Sequence, residues 1–315
     1  MISVIIPVFN EQESLEILQY SLVKVLVNDS QRPFEIIYVD DGSTDQTPLF
    51  LKKFSSQNSH THVLSLYKNY GQTAALDAGF KAAQGDIIIA LDADLQNDPT
   101  DIPKLLAKID DGYDVVSGWR KDRKDLLISR KIPSYIANLM IRKVTKVPIH
   151  DFGCTLKAYR KLFLKDVHLF GEMHRFIPVY ALWGGAKITE IVTTHHPRKY
   201  GQTHYGIGRV WRVLLDLLTV HFLGKYLTNP IYFFGKASFF CFLSSTVIFS
   251  VVFYRKLVLG SEWLSPMIFI GFLFFGLAIQ FLFFGILAEM LSRIYYQTKN
   301  KTSYHIKEFS RSHNS

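Results

Sequence analysis

The sequence predicts an α/β protein: a mostly parallel sheet with helices on both faces, followed by an amphipathic helix and two membrane-spanning helices. Three observations predict it. Short β-branched runs alternate with helical stretches, acidic clusters recur where those runs end, and two long uncharged segments lie near the carboxyl end.

The β-branched runs fall at residues 2–7, 35–39, 62–66, 86–91 and 115–117, with helical stretches at 13–26, 46–54 and 73–83 between the first four. Strand, helix, strand in repetition builds a parallel sheet covered on both faces. Ligands of such open sheets bind beyond the carboxyl ends of the strands. The polar clusters stand at those ends: Pro7-Val8-Phe9-Asn10-Glu11 after the first run, Asp40-Asp41-Gly42-Ser43-Thr44-Asp45 after the second, and Asp92-Ala93-Asp94-Leu95-Gln96 after the fourth. Neither Gly-x-Gly-x-x-Gly nor a phosphate-cradling Gly-x-x-x-x-Gly-Lys-Ser/Thr occurs, so hydride transfer and ATP hydrolysis lose support. The chain holds no internal repeat.

With 48% hydrophobic residues among 315, the chain is too apolar to be disordered. Its two cysteines, Cys154 and Cys241, cannot build a disulfide framework and fit a reducing compartment. Net charge is −9 over residues 1–119, +13 over 120–230 and +5 over 231–315. The positive charge thus lies directly before the apolar segments, where phosphorylated lipid is a nearer anion than nucleic acid.

Residues 237–254 carry no charge, and in 264–288 the most polar member is Gln280. Each is long enough to cross about 30 Å of hydrocarbon and is apolar on every face, unlike a core helix with a polar side. Arg209, Arg212, Lys225 and Lys236 precede the first span, and Arg293, Lys299, Lys301, Lys307 and Arg311 follow the second. The loop between holds only Arg255 and Lys256, so the positive-inside rule keeps both termini and the soluble domain cytoplasmic. Glu289 and Lys236, at the inner ends of the spans, read as snorkelling or helix-end residues. Residues 1–9 are apolar without a basic leader and read as a strand, not a signal peptide.

Upstream of the spans, Val210, Val213, Leu214, Leu217, Leu218 and Phe222 recur at helical spacing against Arg209, Arg212 and Asp216. This helix either lies in the membrane interface or packs on the soluble domain. The expected organisation is a catalytic domain over 1–206, a juxtamembrane helix over 207–230, a hairpin over 231–295 and a polar tail over 296–315. Gly271 and Gly276 permit close helix contact, either within the hairpin or in a homo-oligomer.

Asp92 and Asp94 place two carboxylates at a strand end, with the Gln96 oxygen nearby. Hard oxygen ligands of this kind suit Mg²⁺ or Mn²⁺ held jointly with a diphosphate. The competing reading is a helix cap before Pro99. For the 40–45 cluster it is a capped turn, with Asp45 capping the next helix.

Together these residues resemble the nucleotide-sugar glycosyltransferases of GT-A fold, specifically the dolichol-phosphate mannose synthase-like enzymes and their bacterial polyprenyl-phosphate relatives. The matching strings are the three clusters above with Asn69-Tyr70-Gly71, Asp151-Phe152-Gly153-Cys154, His174-Arg175-Phe176 and Arg198-Lys199-Tyr200-Gly201-Gln202-Thr203. The resemblance covers roughly the first two thirds of the chain, and the two-span tail matches the bacterial members.

The resemblance implies a bacterial inner-membrane enzyme moving a hexose from a UDP- or GDP-sugar to undecaprenyl or dolichyl phosphate, with inversion. It implies that Pro7, Phe9, Asn10, Glu11, Asp40, Asp41 and Asp92 hold the nucleotide sugar, and that Asp92, Asp94 and Gln96 hold the metal. Arg120, Arg130 and Ser134 would take the acceptor phosphate, which guanidinium forks bind bidentately. Arg198 would close over the donor diphosphate. His174 and Trp183-Gly184-Gly185 would shape the sugar pocket. A processive polysaccharide synthase would carry Gln-x-x-Arg-Trp, which is absent. Transfer to a neutral lipid hydroxyl, or a non-catalytic scaffold or lipid-flipping component, are the remaining alternatives.

Overall fold

The computed structural model describes residues 1–28, 32–121, 132–165, 173–197, 208–227, 229–260 and 266–298. Two compact units result, Met1–Val220 and His221–Ser315.

The first unit is a seven-stranded sheet in the order β3-β2-β1-β4-β6-β5-β7. Its strands are β1 (Ile2–Val8), β2 (Phe34–Asp40), β3 (Thr61–Ser65), β4 (Ile87–Ala90), β5 (Val115–Trp119), β6 (Lys157–Arg160) and β7 (Ile188–Val192). Around them lie α1 (Leu15–Asn28), α2 (Thr47–Gln57), α3 (Gln72–Ala82), α4 (Ile102–Asp110), α5 (Ile132–Thr145) and α6 (Ile177–Trp183), and the chain boundary between the two units falls within α7 (Gly208–Tyr226). All five expected strands are present, with ends moved by a residue or two. The sequence reading lacked β6 and β7, and β6 is the one that departs from a parallel sheet, running antiparallel to both β4 and β5.

β1 is an interior strand, as a run of aliphatic residues buried on both sides requires. It pairs in parallel with β2 and β4 in a register that sets Val8 opposite Asp40 and Ile5 opposite Ala90. The loops carrying Asn10, Asp41 and Asp92 therefore leave the sheet along one edge. The reversed β6 brings its first residue, Lys157, to the same edge, opposite Ala90 of β4 and Ser117 of β5.

Close packing over β1 depends on a missing side chain. A Cβ at Gly79 in α3 would lie 2.3 Å from Ile5 Cγ2 and 3.2 Å from Val39 Cγ2. On α7, Leu217 and Val220 are buried while Leu215 and Leu218 are exposed.

The second unit is an antiparallel pair, α8 (Ile231–Leu259) and α9 (Pro266–Thr298), longer than the uncharged segments because aromatic and amphipathic flanks extend both helices. Mean hydropathy reaches 1.9 and 2.4 over their apolar windows, yet only 17% and 11% of those windows is buried within the protein. A soluble core helix would be covered; these two need lipid around them. Ser238 Oγ donates to Ala278 O at 2.7 Å and Ser245 Oγ to Gly271 O at 2.9 Å, tying the helices together. Gly271 faces Phe249 and so serves contact between the spans, whereas nothing lies within 4 Å of a Cβ at Gly276.

Candidate active site

The edge of the sheet beyond β1, β2 and β4 is a set of interlocked loops. After β1, Asn10 adopts a left-handed backbone at φ 54. Its Oδ1 accepts the Thr44 N–H at 2.8 Å and its own N–H donates to Ser43 Oγ at 3.0 Å. The Glu11 N–H donates to Thr47 Oγ1 at 3.0 Å. Phe9 is exposed at the mouth of these loops, and Pro7 is half-buried.

After β2, Asp40 and Asp41 are both buried. Asp40 Oδ1 accepts the Ser43 N–H at 3.0 Å, three residues on, folding the loop back over its own carboxylate. Asp41 reaches across to the next loop, where its two oxygens accept the Tyr70 and Gly71 N–H groups, each at 2.8 Å. A Cβ on Gly42 would lie 2.5 Å from the Lys68 carbonyl carbon, so the two loops lie against each other. Asp45 Oδ1 accepts the Thr47 N–H at 2.9 Å, an Asx turn just ahead of α2, whose N-cap position is held by Gln46 without a side-chain cap bond.

After β4, Asp92 and Asp94 stand with Gln96 on a turn whose middle residue, Leu95, is left-handed at φ 59. Asp94 Oδ1 accepts the Gln96 N–H at 3.1 Å. The cap before Pro99 is supplied by Asp98, whose Oδ1 accepts the Thr100 N–H at 2.9 Å, so Asp94 does not perform it. Burial and then the neighbouring Asp94 charge push the Asp92 carboxyl up to about 6, against the Thr155 hydroxyl, Arg120 and Lys157, which pull it down. The Asp94 charge thus opposes ionisation of Asp92, an effect that a bound cation would relieve. Among the described residues no three His, Cys, Asp or Glu side chains converge on a metal position. Asp92 and Asp94, with Gln96 on the same turn, offer hard oxygen donors short of a full shell, a set that suits Mg²⁺ or Mn²⁺ taking its remaining ligands from a diphosphate.

Beside this turn, Arg120 follows β5 and pairs with Asp151 through two hydrogen bonds, Nε to Oδ2 at 2.7 Å and Nη2 to Oδ1 at 3.0 Å. Burial lowers the guanidinium pKa and Asp151 more than reverses that, so Arg120 stays charged. Three of its N–H donors lie outside the pair, enough to meet a phosphate. Lys157 Nζ donates to Phe152 O at 3.2 Å and also to Cys154 O, holding the 151–154 turn from below. Its burial depresses the ammonium pKa.

Gln72, at the start of α3, donates from Nε2 to Asp92 Oδ1 at 2.7 Å. Thr73 Oγ1 lies 2.7 Å from His174 Nδ1. His174 occupies a short 3₁₀ turn, Met173–Phe176, that leads into α6, and Trp183 is exposed at the end of that helix. Opposite the acidic turn, Asn97 bridges His195, and His196 Nε2 lies 3.0 Å from Asp98 Oδ2.

The structure thus gathers Asn10, Glu11, Asp40, Asp41, Asp92, Asp94, Gln96 and Arg120 along one sheet edge. Arg130 and Arg198 lie outside the described residues, and Ser134 falls in the first turn of α5 with its side chain outside them. Gln72, Thr155 and Lys157 were missed by sequence reasoning. Only Gln72 carried a signal, one residue beyond the Asn69-Tyr70-Gly71 string.

The mixed sheet thus carries paired carboxylates at one strand end, with the Arg120 guanidinium beside them. Residues 3–167 match the family model for glycosyl transferase family 2, and the chain belongs to that family. The dodecaprenyl-phosphate galacturonate synthase of Rhizobium johnstonii is 39% identical over 312 residues, spanning 98% of this chain and 92% of that one. The undecaprenyl-phosphate 4-deoxy-4-formamido-L-arabinose transferase of Yersinia enterocolitica is 36% identical over 98% of this chain and 93% of its own. Among solved structures, glucosyl-3-phosphoglycerate synthase from Mycobacterium tuberculosis, in complex with Mn²⁺ and UDP-glucose, superposes with a TM-score of 0.54. It is 18% identical and covers 70% of this chain and 78% of that one, a likeness of fold.

Proposed function

We propose that this chain is a membrane-bound, inverting transferase that moves a sugar from a UDP- or GDP-sugar to a polyprenyl phosphate. The observation that carries this reading is the match to two polyprenyl-phosphate sugar transferases over 98% of the chain, apolar helices included. The Arg and Lys around the hairpin favour a catalytic unit on the cytoplasmic side, and the bacterial sources of the two relatives favour an inner membrane.

In this reading a lipid phosphate oxygen attacks the anomeric carbon as the bond to the nucleoside diphosphate breaks from the opposite side. A phosphate monoester carries between one and two negative charges at neutral pH, so no side chain need remove a proton. Asp92, Asp94 and Gln96 would hold a divalent ion, Mg²⁺ or Mn²⁺, which neutralises the departing diphosphate. The residues after β1 and β2 would seat the nucleoside. Arg120, oriented by Asp151, would present its outer N–H donors to the acceptor phosphate, with Arg130 and Ser134 as its partners and Arg198 over the donor. Positioning and charge stabilisation supply the rate. The two named relatives carry different sugars, and His174 with the Trp183 turn is where this chain would make its choice.

The test is transfer by the purified full chain to polyprenyl phosphate from a panel of UDP- and GDP-sugars, with Mg²⁺ or Mn²⁺ and with chelator. Metal-dependent, acid-labile lipid product from one donor is expected. Release of nucleotide by slow hydrolysis alone, with no lipid labelled by any donor, overturns the acceptor assignment.

A further inference from the structure

Asp41 sits at the nucleotide end of the site and Asp92 at the metal end, and one short segment joins them. Asp41 holds the Tyr70 and Gly71 N–H groups, one on each oxygen. Gly71 lies at φ 93, ψ 158, a region open essentially to glycine alone. No atom lies within 4 Å of where its Cβ would be, so glycine serves the path of the backbone and not close packing. That path turns directly into α3, and the first residue of the helix, Gln72, delivers its amide to Asp92 Oδ1.

We propose that Gln72 is a positioning residue that fixes the Asp92 carboxylate for the divalent cation, and that Asp41 sets Gln72 through the backbone of residues 70 and 71. The inference rests on the reading of Asp92 as a cation ligand. The chemistry of the contact supports the role. A neutral amide, like the Thr155 hydroxyl that also bonds this carboxylate, orients it by hydrogen bonding and leaves its remaining lone pairs for the cation. Lys or Arg in its place would neutralise Asp92 and compete with the ion. Partners of this kind behind a ligand typically change metal affinity by about 10–100-fold. Asp41, with both oxygens accepting, cannot be replaced by Asn, which offers one acceptor atom where two N–H groups need one each.

The test is Mn²⁺ titration of the full-length protein in detergent with UDP present, followed by electron paramagnetic resonance of free Mn²⁺. Gln72→Leu and Gln72→Asn, the second keeping the amide but one methylene short, are each expected to weaken Mn²⁺ binding about tenfold. UDP affinity in chelator and the melting temperature should be unchanged, which a purely structural residue would not allow. Asp41→Asn should weaken Mn²⁺ binding in the same direction. Wild-type Mn²⁺ affinity in both Gln72 variants, where Asp92→Asn abolishes binding, overturns the positioning role alone. Wild-type affinity in Asp92→Asn overturns the cation reading and this inference with it.

Discussion

Arg120 and Asp151 form a two-point ion pair, Nε to Oδ2 at 2.7 Å and Nη2 to Oδ1 at 3.0 Å, with side chains only 11% and 8% exposed. A pair this buried contributes little over an apolar pair, but losing one partner strands a charge at a cost of about 3–5 kcal/mol. Asp151→Ala should therefore lower the stability of the catalytic unit by roughly that amount in denaturant titration, with lipid-linked product falling in parallel. Arg120→Lys cannot reproduce the fork and should lose activity while keeping the charge.

Asp94 is half-buried, and its Oδ1 accepts the Gln96 N–H of its own turn. Asp94→Ala should leave the melting temperature within a degree or two and cut transfer by at least about a hundredfold, near 2.7 kcal/mol of barrier. In the wild type, chelator should have the same effect, reversed by adding the ion back. Near-normal turnover in Asp94→Ala would falsify the metal assignment.

Gly79 has no room for a methyl group against Ile5 and Val39. Gly79→Ala raises helix propensity in α3, which in an open position would stabilise by up to about 1 kcal/mol. Here overpacking of about 1–3 kcal/mol wins, and the variant should unfold at lower denaturant concentration than the wild type.

The thiol of Cys154 is fully buried, and that burial raises its pKa. A raised thiol pKa means less thiolate at any given pH, so alkylation at pH 8 should be far slower than for a free cysteine. In a Cys241→Ala background, intact-mass measurement with iodoacetamide should find the folded protein unmodified and the denatured protein modified once.

Within the hairpin, Gly271 meets the Phe249 ring and its carbonyl accepts from Ser245 Oγ. Ser245→Ala should cost about 0.6 kcal/mol in detergent unfolding, the usual value of such a bond in an apolar surround. Gly271→Leu should cost more, because the helices must part to admit it.

The strands β1, β2 and β4 were legible because aliphatic runs buried on both faces leave a plain signal, and β3 and β5 because short β-branched runs continue the series. β6 was not, because its sequence Lys-Ala-Tyr-Arg reads as surface while Lys157 is 2% exposed. Its charge is met by the carbonyls of Phe152 and Cys154 and by the nearby Asp151 and Asp92, partners that exist once the 151–154 turn has formed. The acidic residues of the site were legible by type and by position at strand ends. The division of labour among them was not: Asp98 caps, Asp41 ties down a neighbouring loop, and Gln72 works from a helix start where glutamine is unremarkable.

The reversal of β6 also sets a timetable. β4 ends at Ala90, but the strand that covers its open side begins at Lys157, and β5 likewise gains β7 only with Ile188. At about 5–20 residues per second, a ribosome exposes the Ile-Ile-Ile-Ala edge for several seconds before its partner emerges. An aliphatic edge left open is a template for pairing with another nascent chain. Slowing elongation between these two strands should therefore lower the yield of soluble catalytic unit, and early engagement by a holding chaperone should restore it.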